Sequence, residues 1–271
     1  MRGHDLSLRT AENYRVFATE AHGRSPRYEE FSLAVAEDTW LLAFLAGLPT
    51  AKRQPNLLFA AARYLLGEPP DLAALHSLVS DRGGDLTATM LARRTQTNEP
   101  ARCATLLPAL AMLPQPLAVV EVGASAGLDL NPLDVTNDDD VRWLRCLIWP
   151  GETGRQERLS AAIETARRDP PRVHRGDLLT DLPGVIGQAP RDATVVVYHS
   201  AVLGYVHRVD RAAFAETMGR LGVVWLSNES PGLLPGTELE GIDPHGFVLT
   251  RNGTEPIAVT DSHGTWVEWL T

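Results

Sequence analysis

Apolar residues recur every three to four positions through the first part of the chain, which is the spacing of amphipathic helices. The pattern runs from Thr10 to about Leu113. Glycine and proline breaks divide it into about five helices. The breaks are Gly23-Arg24-Ser25-Pro26, Gly47-Leu48-Pro49, Gly67-Glu68-Pro69-Pro70 and Gly83-Gly84. The pattern predicts a helical N-terminal subdomain over residues 1–114.

The pattern changes after Pro114-Gln115-Pro116 to short apolar runs rich in β-branched residues. Such runs at residues 193–198 and 223–227 alternate with helical stretches at 141–168 and 208–221, an order that predicts a parallel sheet covered by helices. Three further runs, within residues 246–269, predict an antiparallel meander at the sheet edge. The second part of the chain, residues 115–271, is therefore predicted to be an α/β domain.

The stretch from Leu117 to Gly127 predicts a buried strand that opens into a glycine-rich turn. Small residues let the backbone approach a ligand closely, and the turn supplies free N–H groups beside the acidic Glu121. With Gly123, Ser125 and Gly127 the stretch resembles motif I (E-x-G-x-G-x-G) of the Rossmann-like methyltransferases, although Ser125 replaces the middle glycine. It fits a dinucleotide G-x-G-x-x-G less well. The alternative is a strand and turn with no ligand.

The segment after the glycine-rich turn is too short for an ordinary βαβ unit. A crossover between parallel strands takes a dozen or more residues, yet Gly127-Leu128 is followed at once by Asp129-Leu130-Asn131-Pro132, which is typical of the end of a second strand. Asp129 stands where a ribose-binding carboxylate is expected. We therefore expect that residues are missing between Leu128 and Asp129.

Composition restricts the class of partner. The net charge of −9 argues against binding to a nucleic-acid backbone, which needs a basic surface, and favours a small-molecule ligand. Cys103 and Cys146 form no C-x-x-C pair, so neither a disulfide framework nor a structural zinc site is indicated. No secretory leader and no stretch of about 18 apolar residues occur, so a cytoplasmic protein away from membranes is expected, with its oligomeric state open.

Several phrases spread along the chain are similar to a bacterial family catalogued as domain of unknown function 2332. These phrases are residues 56–61, 95–99, 121–128, 130–135, 142–144, 198–203 and 225–229. The resemblance implies a helical N-terminal part joined to a Rossmann-like, methyltransferase-type domain, without an assigned reaction. Family members are usually longer after the glycine-rich turn, which agrees with a missing crossover and leaves the role of Asp129 open.

Three polar groups are candidates for the ligand-binding rim of the sheet. Asp177 lies in a segment similar to the third strand of S-adenosylmethionine-dependent methyltransferases, where an acidic side chain accepts from the adenine amino group; alternatively it caps the next helix. His199 and Ser200 end a strand at the rim where ligands of open α/β sheets bind. His199 is a candidate general base or a structural residue, and Ser200 a candidate substrate contact. Ser227-Asn228-Glu229 end the next strand.

A polar run before the helix at residues 101–113 supplies further candidates. Helix capping explains part of it, but not Arg94, Gln96 and Glu99. Arginine is suited to binding carboxylates, so Arg94, Gln96 and Asn98 are predicted to contact substrate, and Glu99 to take part in catalysis.

The histidines show no metal-ligand spacing such as H-E-x-x-H, so no catalytic metal is expected. Residues 123–127 also match the hydrolase elbow G-x-S-x-G, which makes Ser125 a candidate nucleophile. The preferred prediction is a protein that binds S-adenosylmethionine and, if it is an enzyme, transfers a methyl group to an acceptor that the sequence does not identify. A non-catalytic ligand-binding or scaffold protein of the same fold is the main alternative, and the Ser125 hydrolase is a lesser one.

Overall fold

The computed structural model describes residues 2–95, 99–123, 133–239, 241–243 and 246–270. The chain divides into two compact units. The first, the helical unit, comprises Met1–Asn98 and Asp134–Arg167; the second, the sheet unit, comprises Glu99–Leu133 and Arg168–Thr271. Within the described residues no helix has the length and apolar character needed to cross a membrane.

The helical unit is built around a helix that is buried on every side. Its helices are α1 (Arg2–Ala21), α2 (Pro26–Glu37), α3 (Thr39–Ala46), α4 (Pro55–Leu66), α5 (Leu72–Ala92), α7 (Asp138–Cys146) and α8 (Thr153–Arg168). In α4 the six consecutive residues 57–62 are all buried, as expected for a central helix. Phe59 of α4 contacts the rings of Tyr14, Phe17, Tyr28 and Phe31 at centroid distances of 4.5–5.9 Å.

The junction of α2 and α3 depends on one carboxylate. Asp38 Oδ1 accepts hydrogen bonds from Trp40 N at 3.0 Å and Leu41 N at 2.9 Å, and so caps α3. Its other oxygen lies 2.6 Å from His76 Nε2 on α5. Burial raises the pKa of the Asp38 carboxyl, but these hydrogen bonds outweigh burial and leave that pKa below its ordinary value. Asp38 therefore joins three helices through one side chain.

The sheet unit contains one open mixed sheet with strand order β1 to β6. Its strands are β1 (Leu117–Glu121), β2 (Thr194–Ser200), β3 (Val224–Glu229), β4 (Gly246–Arg251), β5 (Glu255–Asp261) and β6 (Val267–Trp269), and its helices are α6 (Ala101–Ala111), α9 (Leu182–Ile186) and α10 (Arg208–Leu221). The first three strands are parallel and the last three pair antiparallel. This confirms the predicted α/β class and the C-terminal meander.

Successive residues of β2 face opposite sides of the sheet, and each side has its own helix. Val196 packs with Leu106 and Ala109 of α6. Val197 packs with Phe214 and Met218 of α10. The alternation continues to the end of the strand, where Tyr198 lies on the α6 side and His199 contacts Phe214 on the α10 side. The two faces therefore place consecutive polar residues in different surroundings.

The division into units differs from the predicted boundary at residue 114. Helix α6 belongs with the sheet because its apolar residues pack on β2, β3 and β4. Helices α7 and α8 belong with the N-terminal helices; Trp143 of α7, for example, contacts Tyr64 of α4. The predicted break at Gly83-Gly84 is a kink inside α5, at Arg82. Residues 169–181 contain no strand, contrary to the resemblance.

The turn between β4 and β5 should be intolerant of any side chain at Gly253. This glycine has a φ of +73°, and a Cβ there would lie 2.2 Å from the Trp225 ring. Gly222 is the matched control, because its φ is +63° and a Cβ would meet nothing. We expect Gly222→Ala to cost about 1 kcal/mol of unfolding free energy from backbone strain and Gly253→Ala a further ~1–3 kcal/mol from overpacking. Urea unfolding measures the unfolding free energy of both variants. Equal losses of unfolding free energy would contradict the contact between Gly253 and Trp225.

Removing the Asp38 carboxylate should destabilise the protein in a pH-dependent manner. We expect Asp38→Ala to cost about 1–2 kcal/mol at pH 7, the range for loss of a helix cap. Because the folded-state pKa is lowered, this stabilisation is complete above the unfolded pKa of about 3.9 and is lost as the pH falls through the folded value. Urea unfolding between pH 3 and pH 7 checks this. Asp38→Asn, which keeps a capping oxygen, should retain part of the stability; a loss that does not change with pH would contradict the assignment.

Candidate functional site

The carboxyl ends of three parallel strands meet at one edge of the sheet, termed here the carboxyl edge. Strands β1, β2 and β3 end there at Glu121, Ser200 and Glu229. Glu121 is in register with Tyr198, and Ser200 with Asn228. Ligands of open α/β sheets bind outside this edge, so it is the candidate site within the described residues.

Glu121 carries the most distinctive electrostatics at the carboxyl edge. Its side chain still reaches solvent, but surrounding protein removes much of the water from the carboxyl and raises its pKa. A hydrogen bond with Tyr198 opposes this rise in part. Burial and the nearby Glu121 carboxyl likewise raise the pKa of Tyr198 and of the Cys103 thiol on α6. The Cys103 thiol therefore stays protonated at neutral pH and is a poor nucleophile.

Gly123 begins the glycine-rich segment, and the fold itself requires it. Its φ is +78°, and a Cβ would lie 2.4 Å from Cγ2 and 2.8 Å from Cγ1 of Val202. Val202 belongs to the loop that follows β2. The absence of a side chain at Gly123 thus lets the turn after β1 pack against this loop.

His199 has a structural environment rather than that of a general base. The residue is fully buried. Its Nδ1 lies 2.7 Å from Glu229 Oε1, and its Nε2 accepts a hydrogen bond from Trp225 Nε1 at 3.0 Å. With both nitrogens bonded inside the protein, His199 has no position from which to take a proton from a bound acceptor. The structure thus favours a structural role for His199 over that of a general base.

Ser200 lies where it was predicted, at the carboxyl edge, and is bonded to the next strand. Asn228 Nδ2 donates to Ser200 Oγ at 3.2 Å, and Thr260 Oγ1 donates to Asn228 Oδ1 at 2.8 Å. The next residue, Ala201, has a φ of +58°, a value that residues other than glycine rarely adopt. Its N–H donates to Asn228 O at 3.1 Å. These bonds hold the loop after β2 against β3. A substrate contact by Ser200 stays a prediction.

Asp177 and Glu99 both bond backbone groups nearby. Asp177 Oδ1 accepts from Leu179 N at 2.8 Å and Thr180 N at 3.1 Å in the turn before α9, whose N-cap residue is Asp181. Asp177 is thus not the cap of the next helix, and the adenine contact stays a prediction. Glu99 is only 6% exposed, and its Oε1 accepts from Ala101 N at 3.2 Å at the start of α6. A catalytic role for Glu99 also stays a prediction.

The remaining predicted residues lie in the helical unit or outside the described residues. Arg94 is exposed and belongs to the helical unit, where its carbonyl accepts a hydrogen bond from Trp143 Nε1 at 3.0 Å. Gln96, Asn98, Ser125, Gly127 and Asp129 lie outside the described residues, as does the expected gap between Leu128 and Asp129. Within the part of the chain that is described, no three histidine, cysteine or acidic side chains cluster as metal ligands would.

The sequence pattern does not identify two important hydrogen-bonding residues of the site, Tyr198 and Trp225. Both are aromatic residues inside predicted strands, and such residues ordinarily fill the core. Tyr198 can be identified from the pairing of β1 with β2, because Glu121, the last residue of β1, is in register with Tyr198. Trp225 shares its face with Glu229, four residues later, by the two-residue period of a strand.

Neutralising Glu121 should not weaken the ligand-free protein at neutral pH. Because its folded-state pKa is raised, the ionised carboxylate costs folding stability, and that cost grows as the pH rises from about 4 through the folded value. We expect Glu121→Gln to be as stable as the parent or up to about 1 kcal/mol more stable at pH 7, after allowance for solvent screening, with no gain at pH 4. Urea unfolding measures this.

The matched control is Glu255→Gln. Glu255 also stands at a strand end, but its hydrogen bond with Arg251 lowers the pKa of its carboxyl. Removing that charge should therefore bring no gain at pH 7. A Glu121→Gln protein that is clearly less stable than the parent at pH 7 would show that the Glu121 carboxylate makes net stabilising contacts.

Comparison with known proteins gives a family but no function. Neither the curated proteins nor the solved structures include a match to the chain. A family model described as an uncharacterised protein conserved in bacteria (DUF2332) matches residues 11–130 and 126–269. The two matched stretches overlap at 126–130, which is where the sequence indicated a missing crossover. Since the matches cover nearly the whole sequence, the chain belongs to this bacterial family of uncharacterised proteins, DUF2332.

Proposed function

We propose that the protein binds S-adenosylmethionine, or a closely related nucleoside, at the carboxyl edge of a Rossmann-like sheet, and that any reaction it catalyses is methyl transfer. Strand β1 ends at Glu121 and turns at Gly123 into the glycine-rich segment. Two further parallel strands end beside it. This arrangement is the one that the resemblance to motif I leads us to expect.

The observation that carries the proposal is the state of Glu121. Glu121 ends β1 at the carboxyl edge just before the positive-φ turn at Gly123, and it lies in register with Tyr198, to which its side chain bonds. Surrounding protein also raises the pKa of its carboxyl. A carboxylate in such surroundings gains more from a cation or a hydroxyl donor than one in bulk water does, because the local dielectric is lower. S-Adenosylmethionine offers both an ammonium group and ribose hydroxyls. A residue that costs stability in the free protein is expected where ligand binding recovers that cost.

The chemistry of methyl transfer is compatible with few acid–base residues. The donor supplies an activated methyl group on a sulfonium, and the protein's main task is to align donor and acceptor. The buried environment of His199 therefore does not weaken the proposal. Glu121 would bind the donor, and the amides of the turn at Gly123 would approach it closely.

The sequence leaves two other functions open, a non-catalytic binding or scaffold protein and a hydrolase. A non-catalytic ligand-binding or scaffold protein needs the same pocket and differs only in lacking transfer. A hydrolase needs Ser125, which lies outside the described residues, so the structure adds no argument for it. Transfer of a labelled methyl group to acceptor candidates distinguishes the enzyme from a binding protein.

Calorimetric titration with S-adenosylmethionine and S-adenosylhomocysteine tests the proposal. We expect saturable binding by the full chain and a loss of about 10–100-fold in affinity for Glu121→Gln, the usual range for a hydrogen bond to a charged group. Glu255→Gln should bind like the parent. A ligand cation that binds the ionised Glu121 carboxyl should also release a proton below neutral pH, seen as a buffer-dependent enthalpy that Glu121→Gln abolishes.

Two outcomes would count against the proposal. A folded parent protein that binds neither compound would remove the cofactor assignment. Equal affinity of the parent and Glu121→Gln for the ligand would show that Glu121 does not contact it. This variant is preferable to a bulky residue at Gly123, which would also displace Val202 and so confuse loss of fold with loss of site.

A further inference from the structure

The residues that end β2 and β3 form one buried hydrogen-bonded cluster centred on Glu229. Its side chain is 4% exposed. One oxygen, Oε1, lies 2.7 Å from His199 Nδ1 and accepts from Val202 N at 2.8 Å and Leu203 N at 3.1 Å. A buried carboxylate is costly unless donors surround it. The loop after β2 supplies two of these donors, so the conformation of the loop and the burial of Glu229 depend on each other.

The hydrogen bond from Trp225 determines the state of His199. Trp225 Nε1 is a donor only, so His199 Nε2 must carry a lone pair. A neutral imidazole with an acceptor at Nε2 has its proton at Nδ1, and that N–H donates to Glu229. His199 is therefore the neutral Nδ1–H tautomer and acts as a bridge between Trp225 and Glu229.

The same loop determines where the turn after β1 can lie. Val202, whose N–H is bound by Glu229, has its methyl groups against Gly123. On the other side of Val202, Ala201 N donates to Asn228 O on β3. The loop is thus fixed by β3 at three consecutive residues, 201–203, and the Val202 side chain contacts the first glycine of the glycine-rich segment.

We infer that Glu229 is a positioning residue, which through Val202 sets the backbone at Gly123 and so shapes the proposed ligand site. His199 bonds to the Glu229 carboxylate and accepts a hydrogen bond from Trp225, so these two residues hold the carboxylate in place. Glu229 does not itself contact the ligand. The part of the inference that concerns ligand affinity rests on the proposed function, whereas the coupling of Glu229 to Gly123 does not.

Backbone and indole resonances of isotope-labelled full-length protein test the coupling without a ligand. The variants are Glu229→Gln, which keeps one acceptor oxygen, and Val202→Ala, which removes the contact with Gly123 but keeps the carboxylate. Glu255→Gln is the control on the outer part of the sheet. We expect Glu229→Gln to shift the amide signals of Val202, Leu203 and Gly123 and the indole Nε1–H signal of Trp225, and to speed amide exchange at Val202 and Leu203 at least tenfold.

Val202→Ala should shift the amide signal of Gly123 and leave the indole signal of Trp225 unchanged. Glu255→Gln should change neither signal. Nitrogen chemical shifts of His199 should show the neutral Nδ1–H tautomer in the parent at pH 7. A folded Glu229→Gln protein whose Gly123 signal is unmoved would overturn the inference, as would a Gly123 signal that does not respond to Val202→Ala.

Titration with S-adenosylhomocysteine adds a functional readout. We expect Glu229→Gln to bind about tenfold more weakly than Glu255→Gln. If the parent protein binds neither this compound nor S-adenosylmethionine, the proposed function fails, and the resonance measurements still decide the coupling. If the parent binds and Glu229→Gln binds equally well, the positioning role is wrong and the proposed function stands.

Discussion

The buried Glu229 carboxylate is the constraint that organises the carboxyl edge of the sheet. A charge that is withdrawn from water must be met by donors at short distance, since an unpaired one costs several kcal/mol or more. Here one oxygen meets the ring of His199 and the amides of Val202 and Leu203. The path of the loop after β2 is therefore dictated by the end of β3. The turn at Gly123 must then fit the side chain of Val202.

The two-residue period of the strands assigns the polar residues of β2 to different tasks. Tyr198 faces α6 and bonds to Glu121. His199 faces α10, between Trp225 and Glu229. Moving the strand by one residue would exchange these environments, placing a histidine beside Glu121 and a phenol in the buried cluster. The chemistry available at the edge thus follows from the register of β2 as much as from residue type.

Much of the fold could be predicted because its signals are local. The runs at 193–198 and 223–227, the N-terminal helices, the helix at 208–221 and the C-terminal meander follow from periodicity and turn residues, and the structure has elements at each of these places. The assignment of α6, α7 and α8 to units could not be predicted from chain order, because it depends on which apolar faces meet in three dimensions. The surroundings of His199 could not be predicted for the same reason. Its neighbours Trp225 and Glu229 are 26 and 30 residues away, and only the sheet brings them together.

Glu121 and Glu229 show how one residue type at two strand ends serves two purposes. Glu229 Oε1 meets three donors within the protein, and these donors offset the cost of burying the carboxylate. Glu121 has one described side-chain partner, Tyr198, and surrounding protein raises the pKa of its carboxyl although the side chain still reaches solvent. Of the two, Glu121 is the carboxyl that the proposed function assigns to the ligand. Because Glu229 fixes the loop against which the turn beyond Glu121 packs, Glu229 determines the geometry of the carboxyl edge, and Glu121 supplies the contact with the ligand that we propose.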